Sequence, residues 1–371
     1  MANLSCGIVG LPNVGKSTLF NALLKKQVAY AANYPFATIE PNVGVVEVPD
    51  ERLEKLADSI ASLQNDVRPP IMPAVVEFYD IAGLVRGAHK GEGLGNQFLS
   101  HIREVSVVIH VIRLFEDENI IRVDTAQKGP LDDMTIINEE LIFADLSTLE
   151  KQREPKGNIS KDDQFAWDTF QTVKNDLNKG IFIKNQRLTD EQLSTLKPLN
   201  LLTFKPQILV FNISENQLTN KIDTEGKIKK ILNDSKIKED YIYLCIKLEN
   251  EILSLSQKEQ IEYLSSFGLD ETGLEKLIKT AYSTLDLISF LTAGEKEVRA
   301  WTIKQGTDAQ NAAGVIHTDF FSKFIRADIV TFDDYISNNG WLKAKETGKV
   351  HSVGRDYVMK DGDVVDFKIA P

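Results

Sequence analysis

The chain has 371 residues, more than a single hydrophobic core usually organises, so two or three domains are expected. Its 42% apolar and 26% charged residues are ordinary for a soluble globular protein. No apolar run reaches the roughly 18 residues that a membrane span needs. A net charge of -11 argues against a protein that coats nucleic acid indiscriminately, DNA included, and leaves room only for a local basic patch. Cys6 and Cys245 lie in apolar, strand-like segments with no metal-ligand spacing and are expected to be reduced core thiols. Met1-Ala2-Asn3 runs directly into the first predicted strand, so the expected location is the cytoplasm.

The first apolar run, Cys6 to Val9, leads into Gly10-Leu11-Pro12-Asn13-Val14-Gly15-Lys16-Ser17 and Thr18, and then into helical spacing at Leu19, Phe20, Leu23 and Leu24. This is G-x-x-x-x-G-K-[ST] between a strand and a helix, the context that makes it a phosphate cradle. Asn13 to Thr18 are the expected phosphate contacts. Lys16 reaches the β- and γ-phosphates and stabilises charge during transfer, while the Ser17 hydroxyl ligates Mg²⁺. Two prolines keep Asn33 to Pro41 out of helix, so an irregular loop is expected there, with Thr38 completing the Mg²⁺ shell.

Strands are expected at Gly44 to Val48 and Ala74 to Tyr79. The second ends in Asp80-Ile81-Ala82-Gly83, a D-x-x-G in which Asp80 holds Mg²⁺ and the Gly83 amide approaches the γ-phosphate. Together with the phosphate loop it points to the GTPase class of P-loop proteins. The next residue is Leu84, where Ras-type enzymes carry the glutamine that orients water. An aliphatic side chain cannot do this, and His89, in a glycine-rich loop, is the nearest residue able to position a water.

After a strand at Val105 to Ile112 the alternation breaks over about 118 to 203. Met134, Ile137, Leu141 and Ala144, and then Ala166, Phe170, Val173 and Leu177, recur at helical spacing on either side of a polar turn. Ser160 and Thr189 start capping-box patterns. A helical hairpin inserted in the nucleotide domain is expected, either as a contact to a macromolecule or as a packing appendage with a solvated charged face.

Strands resume at Gln207 to Phe211 and Tyr241 to Ile246. After the first of these, N-K-x-D would clamp guanine through its aspartate and cover the ring with its lysine stem. The chain instead reads Asn212-Ile213-Ser214-Glu215, and the longer Glu215 disturbs the bidentate fit. Adenine lacks the 2-amino donor, so ATP should be accepted as well as or better than GTP. Cys245, Ile246 and Lys247 stand at the spacing of the last base-contacting loop. From Leu287 short strands surround one helix near Ala309 to His317, the pattern of a β-grasp. This tail is nearly neutral, with eleven Lys+Arg against twelve Asp+Glu. Its Lys296, Arg299, Lys304, Lys323 and Arg326 are candidate contacts to RNA phosphate, with a merely solvated face as the alternative.

The phosphate loop with Asn13, the stretch Asn33 to Gly44, the block Asp80 to Phe98, the N-x-x-E at Asn212 to Glu215 and Val298-Arg299-Ala300-Trp301-Thr302 together resemble the YchF family, the Obg-like ATPases of the P-loop GTPase class. The resemblance spans nearly the whole chain. It implies ATP preference, slow hydrolysis without a glutamine, His89 in catalysis, a ubiquitin-like TGS domain and association with ribosomes or their subunits, through RNA. It also implies that Asn13 helps hold K⁺ against the phosphates.

The expected architecture is an α/β, doubly wound P-loop NTPase domain in residues 1–117 and 204–286, an inserted helical hairpin in 118–203 and a TGS β-grasp in 287–371. The expected function is a slow ATPase that switches ribosome affinity. Two alternatives stand beside it: a GTP-preferring ribosome-assembly GTPase, and a nucleotide-gated binding module in which hydrolysis is incidental.

Overall fold

The computed structural model describes residues 5–31, 42–63, 67–81, 94–116, 129–157, 159–235, 237 and 239–371. They cluster into two compact units, one of 4–45 with 77–277 and one of 46–76 with 278–371.

The strands up to residue 250 are β1 (Ser5–Val9), β2 (Val43–Glu47), β3 (Ile71–Met72), β4 (Val75–Asp80), β5 (Val107–Arg113), β6 (Gln207–Asn212) and β7 (Asp240–Leu244). All but β3 form one sheet in the order β2-β4-β1-β5-β6-β7. The pairs β4-β1, β1-β5, β5-β6 and β6-β7 are parallel. Every residue of β1, β5 and β6 is buried, which is why these segments read as continuous apolar runs. From β1 the chain reaches one neighbour through β4 and the other through β5, so the switch point of the sheet lies at the carboxyl end of β1. A ligand crevice belongs there, and the helix α1 (Lys16–Ala31) starts there.

The helices that follow are α2 (Glu51–Leu63), α3 (Leu94–Glu104), α4 (Pro130–Glu150), α5 (Lys161–Leu177) and α6 (Asp190–Leu196). The proline opening α4 sits where its missing N–H costs nothing. Ser160 caps α5 by accepting from Asp163 N at 3.0 Å, and Thr189 with Gln192 forms a complete capping box on α6. Met134 packs with Ile112, Leu209, Phe211 and Ile228, so α4 covers the sheet with its first turns.

Further along α4, Asp145 is fully buried. It accepts from Leu202 N at 2.8 Å, Thr203 N at 2.7 Å and Thr203 Oγ1 at 2.8 Å. Burial still raises its pKa against these bonds. This carboxylate fixes the point at which the chain returns to β6.

α7 (Glu215–Thr219), α8 (Lys221–Ser235), α9 (Ile246–Ile252), α10 (Gln257–Ser266) and α11 (Gly273–Thr284) complete the helices of the first three quarters of the chain. The buried Glu249 in α9 accepts from Gly273 N at 2.7 Å and Leu274 N at 3.2 Å, capping α11. A Cβ at Gly273 would sit 2.5 Å from Leu244 Cβ, so only glycine allows this approach.

The second sheet has β8 (Leu287–Ala293), β9 (Val298–Lys304), β10 (Phe324–Thr331), β11 (His351–Val353) and β12 (Asp363–Ile369), in the order β11-β10-β12-β8-β9-β3. β8 and β9 form a hairpin, β12 runs parallel to β8, and α12 (Ala309–Ile316) packs its alanines on Phe290, Phe324 and Ile329. This is the expected β-grasp with two strands that sequence did not reveal, β11 and the two-residue β3. The short helices α13 (Thr318–Ser322), α14 (Phe332–Ser337) and α15 (Trp341–Glu346) fill the crossover.

Replacing Asp145 by alanine leaves the Leu202 and Thr203 amides unpaired in a dry site. A loss of roughly 2–4 kcal/mol is expected, read as a lowered urea midpoint. A midpoint equal to that of the unsubstituted chain would show that Asp145 does not hold this junction.

Candidate functional site

The phosphate loop joins β1 to α1. Gly10 has φ +154°, and a Cβ there would meet Val111 O at 2.6 Å. Gly15 has φ +106°, and its Cβ would lie 2.6 Å from Asn212 Nδ2. Asn13 between them is also left-handed, with φ 63°. Such curled backbone converges successive amides on one point, and Leu19 N bonds to Gly15 O at 2.9 Å to begin the helix there. The arrangement suits an anion.

Lys16 is buried and donates to Leu11 O at 2.7 Å. Desolvation pulls its pKa down to about 8, opposed by the nearby Asp80. Asp80 ends β4, whose tip is held beside β1 by Ile81 N bonding to Ile8 O at 3.3 Å. Burial raises its carboxyl, while Lys16 and a hydrogen bond from Ser17 lower it. A hydroxyl and a carboxylate side by side form an all-oxygen donor pair, the set that Mg²⁺ takes from protein when phosphates supply the rest. The described residues contain no group of three His, Cys, Asp or Glu placed to hold a metal by themselves. His110 on β5 is fully buried, with its pKa pushed down to about 3 by desolvation and then by Lys16. It is therefore neutral, and among the described residues neither ring nitrogen has a hydrogen-bond partner.

Beside the loop a cavity of about 660 Å³ opens at the carboxyl ends of β5, β6 and β7. It is lined by Asn13, Gly15 and Thr18, by Phe115 and Glu116, by Asn212 to Asn216, and by Cys245 to Lys247. Asn212 ties its walls together. Its Nδ2 donates to Val14 O at 2.9 Å, and its Oδ1 accepts from Ile246 N at 3.3 Å. Ser214 caps α7 through a capping box with Gln217, which also donates to Leu114 O at 3.2 Å. This sets Glu215 at the start of α7, where Lys247 reaches it at 3.3 Å. Ile213 is 2% exposed and packs into a cluster with Leu218, Cys245, Leu248 and Ile252. The buried Cys245 thiol is raised by desolvation.

The structure thus brings Asn13, Gly15, Thr18, Asn212, Ile213, Glu215, Cys245, Ile246 and Lys247 around one space. Val14 is buried behind the loop, and Lys16, Ser17 and Asp80 form the adjoining polar cluster. Thr38, Gly83, Leu84 and His89 lie outside the described residues. Four lining residues escaped sequence reasoning: Phe115, Glu116, Ser214 and Asn216. The first pair directly follows β5, whose Arg113 pairs with Asn212 of β6. Arg113 also stacks over the Phe115 ring, 4.6 Å from its centroid, and donates to Phe115 O at 3.2 Å. The usable signal was their place at a strand's carboxyl end.

A family model described as "50S ribosome-binding GTPase" matches residues 5–165. The YchF-GTPase_C model, described as "Protein of unknown function (DUF933)", matches residues 287–370. The chain is 44% identical to a protein of Bacillus subtilis (strain 168) named "Ribosome-binding ATPase YchF", over 98% of this chain and 99% of that one. It is 43% identical to the Escherichia coli O157:H7 protein of the same name, over 98% of each. The solved structure titled "Structure of the Schizosaccharomyces pombe YchF GTPase" superposes with a TM-score of 0.86 at 35% identity, covering 99% of this chain and 98% of that one. The chain belongs to the YchF family.

Proposed function

We propose that this chain hydrolyses ATP in preference to GTP and uses its nucleotide state to set its affinity for ribosomes. The observation that carries the base preference is the fate of the guanine clamp. Ile213 is buried in the core, and the carboxylate at the start of α7 is Glu215, one methylene longer than the aspartate of the guanine clamp. No free aspartate faces the cavity from this turn to accept the paired N1–H and 2-amino donors of guanine. The ribosome as partner is supported by the names of the relatives, and contact through RNA is the part of this reading that rests on the scattered basic residues of the tail.

In this reading the phosphates lie on the loop amides of residues 13–18, with Lys16 exchanging its bond to Leu11 O for phosphate oxygens. Ser17, Asp80 and Thr38 would hold Mg²⁺, and Asn13 would contribute to a K⁺ site. A bound divalent ion supplies neutralisation of the charge that develops on the phosphates. Gly83 approaches the γ-phosphate, and His89 positions the attacking water because Leu84 cannot. The protein contributes position and electrostatics rather than covalent chemistry. The missing glutamine also favours a second reading, in which ATP binding orders the partner surface and turnover is incidental. The helical insertion of residues 118–203 is proposed as a further macromolecular contact.

Paired titrations of fluorescent ATP and GTP with Mg²⁺ test the base assignment. ATP should bind more tightly, and Glu215→Asp, alone and with Ile213→Lys, should move the ratio toward GTP by about tenfold. Tighter binding of GTP by the unsubstituted chain would overturn it. His89→Ala should abolish turnover and spare nucleotide binding, and unchanged turnover would remove His89 from the mechanism.

Lys16 gives a pH signature. In the free protein it loses its proton above about pH 8, whereas against a polyphosphate it stays charged. Binding above that pH must therefore take up a proton, and affinity must fall as pH rises, approaching about tenfold per unit. Calorimetry in buffers of different ionisation enthalpy measures the uptake. Equal heats in all buffers at pH 9 would contradict the assignment.

A further inference from the structure

The C-terminal unit contains a second cavity, of about 570 Å³, that the nucleotide chemistry does not use. Its walls are aromatic: Trp301 from β9, Phe320 from α13, Trp341 from α15 and Phe367 from β12. Its rim is acidic, with Glu295, Glu297 and Asp366 against the single ammonium of Lys296. The Trp301 indole is already pinned, its Nε1 donating to Thr292 Oγ1 at 3.0 Å. A wall fixed in advance loses little freedom when a ligand seats on it.

The chain itself displays the kind of group such a wall holds. Strand alternation puts Glu297, Arg299 and Trp301 on one face of β9 and its approach. The Arg299 guanidinium lies 4.2 Å from the Trp301 ring centroid and 3.8 Å from Glu297. An aromatic face backed by a carboxylate attracts a planar, weakly hydrated cation. Among the described residues Glu295 has no ion-pair partner. Asp366 is paired with Lys368, but both side chains are about half exposed, and such pairs exchange at little cost. A phosphate entering here would meet three carboxylates, with Lys296 as the lining cation and with Arg299 and Lys368 already beside Glu297 and Asp366. This site is therefore chemically unlike the RNA contact that the scattered basic residues of the tail led us to expect.

We propose that the cavity docks an arginine-bearing segment of a basic protein partner, the guanidinium stacked on the aromatic wall and its charge held by Glu295 and Asp366. The side chain's methylenes would lie along Phe320 and Trp341, burying apolar surface while the head group stays at the rim.

Two of the chain's three tryptophans line this cavity, so intrinsic fluorescence reports on it once Trp167 is removed. The experiment uses the full-length chain carrying Trp167→Phe, titrated with the peptide acetyl-Gly-Arg-Gly-Arg-Gly-amide. A citrulline peptide of equal length and a uridine oligonucleotide serve as the alternative ligands. The arginine peptide should give a saturable change that weakens with salt. The change should weaken at least about fivefold in Glu295→Gln/Asp366→Asn, whose thermal midpoint should be unaltered. Phe320→Ala, read through the same tryptophans, should weaken it as well. Equal binding of the citrulline peptide, saturation by the oligonucleotide alone, unchanged affinity in the charge variant, or no saturable change would each overturn the proposal.

Discussion

One primary amide organises the nucleotide-side architecture. Asn212 donates to the carbonyl of Val14 and accepts from the amide of Ile246, so the phosphate loop and the loop after β7 are held by the two ends of one rigid planar group. The contact requires the backbone at Gly15 to pass within a distance that no Cβ tolerates, and it requires β6 to end at Asn212 in register with β5 and β7. Shifting β6 by one residue would turn this side chain to the other face of the sheet. The burial of β6 on both faces therefore indirectly fixes where the nucleotide-side loops stand.

The polar cluster behind the loop shows the complementary constraint, that of charge in a dry site. Lys16 and Asp80 perturb one another less than burial perturbs each, since desolvation is the leading cause for both. Burial brings the Lys16 pKa down to about 8, so the ammonium, bonded meanwhile to a loop carbonyl, is held less firmly than a solvated one. An arriving anion secures its charge. The neutral His110 beneath it adds polar atoms to this region without adding a positive charge that would depress Lys16 further. An anion-binding site can thus be kept folded in the absence of its anion.

Much of this was legible in the sequence because it is local. The loop Gly10 to Thr18, Asp80 at a strand end, Asn212 to Glu215 and Cys245 to Lys247 are short strings whose chemistry depends on their immediate secondary structure, and the sheet brings their strand ends together. Phe115 and Glu116 carry no motif. Their place at the cavity follows from the pairing of β5 with β6, residues about a hundred positions apart, and from Arg113 stacking on Phe115. Strand β3 has two residues and β11 three, too few for a period to be read, and each exists only because a longer strand receives it. The acidic character of the second cavity was hidden for a related reason. Counting charges over the tail gives near-neutrality, whereas the walls bring Glu295 and Glu297 of the β8–β9 turn together with Asp366 of β12.

The least legible feature is the membership of residues 46–76. In sequence they fall between the phosphate loop and Asp80, yet they cluster with residues 278–371. The reason is physical. α2 buries Leu53, Leu56, Ala57 and Ile60, and β3 adds to the edge of β9 through Ile71 and Val298. Arg52 then bridges Asp50 and Asp361, donating to Asp361 Oδ2 at 2.7 Å across 309 positions of chain. Apart from Asp50, none of these partners is near in sequence, so no window could pair them. The consequence reaches any attempt to separate the parts: a chain ending before Leu287 would keep α2 but lose the strands on which its apolar face rests. Four buried apolar side chains would be left facing water, a cost of several kcal/mol at about 1.5–3 kcal/mol for each large one. A truncation there tests stability as much as function, whereas substitutions at Glu295 and Asp366 leave that packing intact.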